Sequence, residues 1–413
     1  MVLGARRFLT GMAITSAVTV LAAWALLLGG DSVESTEAPL RVTVFVAVDG
    51  NNANPGTRAL PVRTFARAYR VAAPGATVLV GAGVYPSQEI SEDPAKASAT
   101  PVVFQPSGGA VTVAGTLDFG QGQFDRRGPK GVTVRNMKVE VMRAWDGTDG
   151  LVWDNIDALR FDASGKNITI RGSDFGPCQA PRDGDSACVS RIAGPATANV
   201  VLEDSSLHEV TSTDPVNYHV DGLAIFGGEN ILIRRNRFYG NHVTNIRVQN
   251  CCGNLPIRNL TLENNWFGVP LQGNGLPRID GINLDSSIPG LVIRFNSFAE
   301  GTGPWFAAAQ PDTVFTGNLF QNGSWNGSSC AAGVTYSYNV FIPFSEWSGV
   351  EPCGPTDKKA STFGYVNSAG FDFHIRGDSP AVGASSGSRC VHDDIDRQPR
   401  VLRCDAGADQ FQP

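Results

Sequence analysis

Residues 231–238 read ILIRRNRF, and residues 260–267 read LTLENNWF. Laid over one another, both place apolar side chains first and third, an asparagine sixth and a phenylalanine eighth. The same pattern returns as VTVRNMKV (132–139), LVWDNIDA (151–158), ITIRGSDF (168–175) and VVLEDSSL (200–207), then as LVIRFNSF (291–298), TVFTGNLF (313–320) and VTYSYNVF (334–341). Alternation of apolar and polar residues marks a strand with one face buried. The sixth column ends Asn236, Asn265, Asn296, Asn318, Asn339, and the eighth ends Phe238, Phe267, Phe298, Phe320, Phe341. Such columns suit amide ladders and stacked rings. The fourth column alternates in sign: Arg135, Asp154, Arg171, Glu203, Arg234, Glu263, Arg294. In-register neighbours need that alternation, because like charges placed opposite repel.

Coils that return to the same face every 17–32 residues predict an all-β solenoid. The composition agrees, with 47 Gly and 17% charged residues in a chain of 413. Net charge is −6, which argues against nucleic acid as a partner.

Ahead of the repeats, residues 1–30 carry Arg6 and Arg7 before an uncharged stretch that ends at Gly30. A basic start before an apolar run predicts a signal peptide, or an uncleaved membrane anchor if it is retained. Either fate exports the body, giving a secreted or extracellular protein whose membrane contact is confined to this segment. Eight cysteines suit that compartment. Sequence neighbours suggest Cys178–Cys188, Cys330–Cys353 and Cys390–Cys404, leaving Cys251 and Cys252 as a vicinal pair or without assigned partners. The expected order is a linker at 31–40, an N-terminal cap and first coils at 41–110, coils at 111–345, and a C-terminal coil and cap at 346–413. A monomer is expected.

With these repeats the chain resembles the right-handed parallel β-helix, or pectate-lyase-like, superfamily. The stretch VDGNNANPGTRALPVRTFARAYRVAAPGATVLVGAGVY (48–85) is similar to the opening segment of exported bacterial members. Within it, Phe65, Ala68, Tyr69 and Ala72 fall at helical spacing, which suits a short helix capping the open end of the solenoid. FDFHIRGDSPAVGAS (371–385) and DIDRQPR (394–400) resemble the terminal segments of the same proteins. The resemblance implies a carbohydrate-active protein.

A second ladder follows the first: DGDSACVS (183–190), HVDGLAIF (219–226), HVTNIRVQ (242–249) and RIDGINLD (278–285). Its apolar columns should face the core. The outward columns then read Asp183, His219, His242, Arg278; Asp185, Asp221, Thr244, Asp280; Cys188, Ala224, Arg247, Asn283; and Ser190, Phe226, Gln249, Asp285. Histidines, arginines and carboxylates so gathered predict a site. Asp221, Asp280, Asp285, His219, His242 and Arg247 are its candidate catalytic groups. Arg278, Asn283, Gln249 and Trp266 are its candidate substrate contacts, with Trp266 and Trp305 offering faces to sugar rings. Taken singly, Asp-Gly at 221–222 and 280–281 reads equally well as turn chemistry, and surface arginines as ion-pair partners.

Two reactions compete on this patch. Inverting hydrolysis needs two carboxyl groups roughly 6.5–9.5 Å apart, while β-elimination needs a base, His242 or Arg247, and a cation for a uronate. HVDG resembles the Asn-Thr-Asp-Gly motif of polygalacturonases, but their paired Asp-Asp, Gly-His-Gly and Arg-Ile-Lys motifs are absent from this ladder. The alternative is a non-catalytic glycan-binding or structural solenoid. No cofactor is required, although DGNNANPGT (49–57) and DGDS (183–186) offer oxygen ligands for calcium, against the plainer reading as turns.

Overall fold

A computed structural model describes residues 41–96, 100–122, 127–181, 185–214, 220–250, 255–271, 280–322, 330–343, 351–386 and 390–413. All of them lie within one compact unit, Pro39–Pro413. The signal or anchor segment, the linker, and Cys251 and Cys252 lie outside the described residues. Among the described residues, no helix is long and apolar enough to cross a membrane.

The expected all-β solenoid is present, and each coil has three faces. The first carries strands such as Gly228–Arg234, Ile257–Glu263 and Val292–Arg294, paired in parallel with Ile231 beside Leu260 and Leu262 beside Ile293. The second carries Arg237–Tyr239, Trp266–Phe267 and Ser297–Phe298. The third carries Ser190–Ile192, Leu223–Ile225, Ile246–Val248, Asp280–Leu284 and Gly303–Phe306. Early coils bend without breaking, so Lys130–Ala144 and Asp149–Ala163 each run through all three faces as one strand.

Each eight-residue repeat therefore covers two strands and the corner between them. The corner's fifth residue takes a left-handed backbone, as at Asp204, Arg235, Asn264 and Phe295 (φ 52–55°). The sixth residue then points its amide inward. Asn236, Asn265, Asn296, Asn318 and Asn339 are fully buried, each bonded to the next, and Asp357 terminates the ladder on Asn339. Beside them Phe267 stacks between Phe238 at 5.2 Å and Phe298 at 4.8 Å. The alternating charges pair across coils, with Arg171 2.8 Å from Asp154 and Arg234 2.7 Å from Glu203. A second amide ladder, not anticipated, marks another corner: Asn259, Asn230, Asn199 and Asn167 donate in turn along the axis, all at positive φ. Asn167 and Asn259, each of which opens an Asn-x-Thr sequence, are thus part of this ladder.

The capping helix α1 spans Phe65–Val71 and buries Phe65, Ala68 and Tyr69, with Thr64 Oγ1 accepting from the Arg67 N–H at its start. The C-terminal segment, expected as a last coil and cap, adds a short rung at Lys358–Lys359 beside Val340 and Phe341, and then lies along the second face as a strap. Tyr365 bonds the Phe298 carbonyl, and Asp393, Asp396 and Arg397 pair with Arg235, Arg237 and Asp204. The outward column it covers reads Arg237, Trp266, Ser297, Leu319, Val340, and the apolar members join the strap's own core with Phe363, Phe373 and Ile375. Disulfides Cys178–Cys188, Cys330–Cys353 and Cys390–Cys404 form as expected, as in proteins of oxidising compartments.

Candidate functional site

The third face holds the predicted patch. Its upper rungs pair as the sequence indicated: Leu223, Ile246 and Ile282 in one inward column, and Ile225, Val248 and Leu284 in the next. The first rung is different. Residues 185–188 form a short helix rather than a strand, and Ser190, Arg191 and Ile192 pair with Leu223, Ala224 and Ile225. Arg191, and not Cys188, therefore occupies the outward column below Ala224, Arg247 and Asn283. The Cys178–Cys188 bridge ties that helix to the strand Cys178–Ala180, which displaces the rung by three residues.

Arg247 organises the patch. Its Nε and one terminal nitrogen both lie 3.1 Å from Asp285, and the other terminal nitrogen is 3.9 Å from Asp221. Asp221 is buried. His242 lies at the corner ahead of the strand that carries Arg247, where its main-chain N–H donates to the Val210 carbonyl and its Nδ1 accepts the Ser212 N–H at 2.9 Å. Burial lowers its pKa, so the ring is neutral with its hydrogen on Nε2. Thr244 is buried and turned to the Ile246 carbonyl. Asn283 is buried beside Arg247, with its Oδ1 unbonded, and Gln249 lies one rung below Asp285 on the next column.

Other predicted members are not assembled here. Trp266 sits on the second face, sealed beneath Phe373 and His374 with Arg237 over its ring. It is a packing residue under the strap and offers no face to a sugar. His219 and Arg278 lie outside the described residues. Asp280 opens the strand Asp280–Leu284, and its side chain is likewise outside them. Trp305 pairs beside Asn283 and extends the column.

Lower on the same face lies a groove that the sequence reading missed. The outward column continues downward as Arg191, Asp162, Arg143 and Asp118. One column over, main-chain bonds at each strand's end align Trp145, Ser164, Ala193, Phe226, Gln249 and Asp285. Two aromatic rings thus flank two small residues, and the notch between them opens into a cavity of about 460 Å³. Its walls include Arg143, Arg160, Asp146, Asp162, Arg191 and Leu255. Arg143 lies 3.3 Å from Asp162 and 3.6 Å from Asp118, while Arg160 is 2.5 Å from Asp162. Burial pushes the Asp118 carboxyl up, although Arg143 and the Trp145 indole N–H, 3.1 Å away, pull it down. The available signal was a glycine shortly after each of the four strands along the groove, in RAWDG, FDASG, RIAG and AIFG.

In the stretch 49–57 the asparagine oxygens are engaged in turn bonds. Asn51 Oδ1 and Asn52 Oδ1 already accept main-chain N–H groups of Ala53, Arg63 and Thr64. Asp183 lies outside the described residues. His374, Asp396 and Asp409 bring ligand atoms within 4.8 Å of one another. Yet both ring nitrogens of His374 are engaged by Asp372 and Asp396 at 2.5 and 2.6 Å, an ionic clamp between strap residues.

A family model of the right-handed β-helix region matches residues 192–343. No curated protein matches the chain. Among solved structures it is similar to XylC in complex with xylose (10% identity, 73% of this chain and 76% of that one, TM-score 0.48). It is also similar to the GH136 lacto-N-biosidase of Eubacterium ramulus (12%, 77% and 67%, TM-score 0.44) and to pectate lyase Pel9A (14%, 91% and 98%, TM-score 0.37). Parallel three-faced coils, internal amide ladders and a repeat model that matches residues 192–343 show the fold of a right-handed parallel β-helix.

Proposed function

We propose that this protein cleaves an extracellular polysaccharide laid along its third face, by hydrolysis at Asp221 and Asp285. The observation that carries this reading is the position of both carboxylates on one guanidinium, that of Arg247. Their separation is then set by the width of the guanidinium and two contacts. That suits the roughly 6.5–9.5 Å of an inverting pair with a water between substrate and base. Buried Asp221 is the better general acid and more open Asp285 the better base.

Elimination is less well supported. Arg247 is occupied by two carboxylates, and His242 can offer a hydrogen at Nε2 but accepts a main-chain N–H at Nδ1. Neither is placed as a base. A non-catalytic glycan-binding role is the second reading, because ion pairing to Arg247 alone explains both aspartates.

The test is a screen of neutral and uronic polysaccharides, with and without calcium, that follows new reducing ends and unsaturated products. Hydrolysis yields the first without the second. Asp221→Asn and Asp285→Asn should each lower the rate by about 10²–10⁴-fold, as loss of a general acid or base does. Unsaturated products, or full activity in both variants, would sink this mechanism.

A further inference from the structure

We propose that the notch between Trp145 and Phe226 is a subsite for an uncharged sugar unit of the bound chain, recognised through its hydroxyls and not through a carboxylate. The inference rests on the reading of the third face as a glycan surface. It concerns recognition and not the cleavage step.

Shape is the first argument. Trp145 and Phe226 stand three coils apart on one outward column, about 14 Å at roughly 4.8 Å per coil. Ser164 and Ala193 floor the gap, and the Ser164 hydroxyl is turned down onto the Ala193 carbonyl. The space left between the rings admits a pyranose unit, whose C–H faces are apolar enough to lie against an aromatic wall while its rim of hydroxyls reaches polar groups. Both aromatic residues are half-buried, so their rings already stand at the edge of the groove.

Charge is the second argument. Three arginines, Arg143, Arg160 and Arg191, give the groove a basic appearance, but three carboxylates, Asp118, Asp146 and Asp162, stand among them. Arg143 is shared between Asp118 and Asp162, and Arg160 is held on Asp162. Arg143 and Arg160 are thus matched within the wall, and the three cations stand among as many carboxylates. A uronate would have to shed water to enter and would meet no surplus positive charge there.

Unused bonding capacity is the third. Arg160 is 7% exposed, and its Nε has no partner, nor does Asp162 Oδ1. Both atoms are sealed from solvent in the groove wall, so a hydroxyl, which both donates and accepts, reaches them when a wall side chain turns aside. Buried polar atoms left unpaired cost free energy until a ligand satisfies them.

The experiment is calorimetric titration of the full chain with cello-, xylo- and manno-hexaose, and with a galacturonate hexamer, at about 20 and 300 mM salt. At least one neutral hexamer should bind, with Kd changing less than threefold between the two salts. Phe226→Ala should weaken that binding tenfold or more without changing the melting temperature. Ala193→Leu, which fills the floor, should abolish it. Preference for the galacturonate with affinity lost at high salt would overturn the proposal. So would failure of every neutral hexamer to bind, or unchanged binding in Phe226→Ala. The two proposals fail separately. Binding of a neutral hexamer with no cleavage of any glycan removes the catalytic reading and keeps the subsite, whereas cleavage that Phe226→Ala leaves untouched in KM removes the subsite alone.

Discussion

Asn265 accepts two hydrogen bonds from Asn236, from the main-chain N–H and from the side-chain amide, each at 3.0 Å. Asn265 in turn donates twice to Asn296 and once to the Ile233 carbonyl. One buried amide therefore satisfies groups on three successive coils. Asn265→Ala would leave the Asn236 N–H and the Ile233 carbonyl unpaired and away from water, so it should cost about 2–4 kcal/mol. Asn265→Asp should cost no less, because a carboxylate cannot donate. Urea unfolding measures both, and a loss below about 0.5 kcal/mol would show that water replaces the rung.

The neighbouring ring column predicts a packing loss of different character. Phe267 is fully buried and stacked on both sides. Phe267→Ala should destabilise by about 3–5 kcal/mol, transfer and cavity terms together, and Phe267→Leu by clearly less. Equal losses for the two would mean that the ring, and not the volume, matters.

These columns were legible because each asparagine and phenylalanine has a fixed place relative to the apolar alternation, whatever the length of the coil. The third face was harder to read. Trp145, Ser164, Ala193 and Phe226 form one column, yet 19, 29 and 33 residues separate them in sequence. Only the main-chain register brings them together. The rung at Ser190–Ile192 was displaced for a local reason, since Cys188 belongs to a helix held by its disulfide. Trp266 was misplaced because apolar residues at outward positions are invisible as packing until the strap that covers them is known. The run Trp266, Leu319, Val340 on one outward column was the sign that something lies there.

The strap should respond to pH. Hydrogen bonding to Asp396, with Asp372 on the other nitrogen, raises His374 to about 9, while Asp396 is lowered by the same contact. A raised histidine contributes stability that is complete below its unfolded value near 6.5 and lost as pH rises through about 9. Asp396 reports the other edge: its contribution is present above its unfolded value near 3.8 and lost as pH falls through the lowered folded one. Asp409 acts oppositely, because burial raises it to about 6 and ionising it costs stability between about pH 4 and 6. Hydrogen exchange in 372–375 and 393–398 should accelerate between about pH 7 and 10 beyond the intrinsic base dependence. In His374→Ala that excess should vanish. An excess unchanged in the variant would assign it to other groups.

Arg400 is the strap's internal staple. It is half-buried over the Phe295 ring, and burial lowers its pKa to about 10, still cationic at neutral pH. Its guanidinium donates to the carbonyls of Asp393, Asp405, Asp409 and Gly407 and to Asn264 Oδ1 of the solenoid corner. A buried arginine is costly to desolvate, and five acceptors arranged around it offset that cost. Removing the side chain takes a donor from each of those carbonyls, of which that of Asp393 keeps the Asn264 amide, while the amide ladder and the ring column of the coils keep their contacts. Arg400→Met should therefore loosen the strap selectively: limited proteolysis should cut after residue 343, and the solenoid core should survive with its far-ultraviolet signature. Trp266 fluorescence should shift to the red as Phe373 and His374 lift away. If the coils melt together with the strap in a single transition, the strap is an integral part of the cooperative unit and not a separable layer.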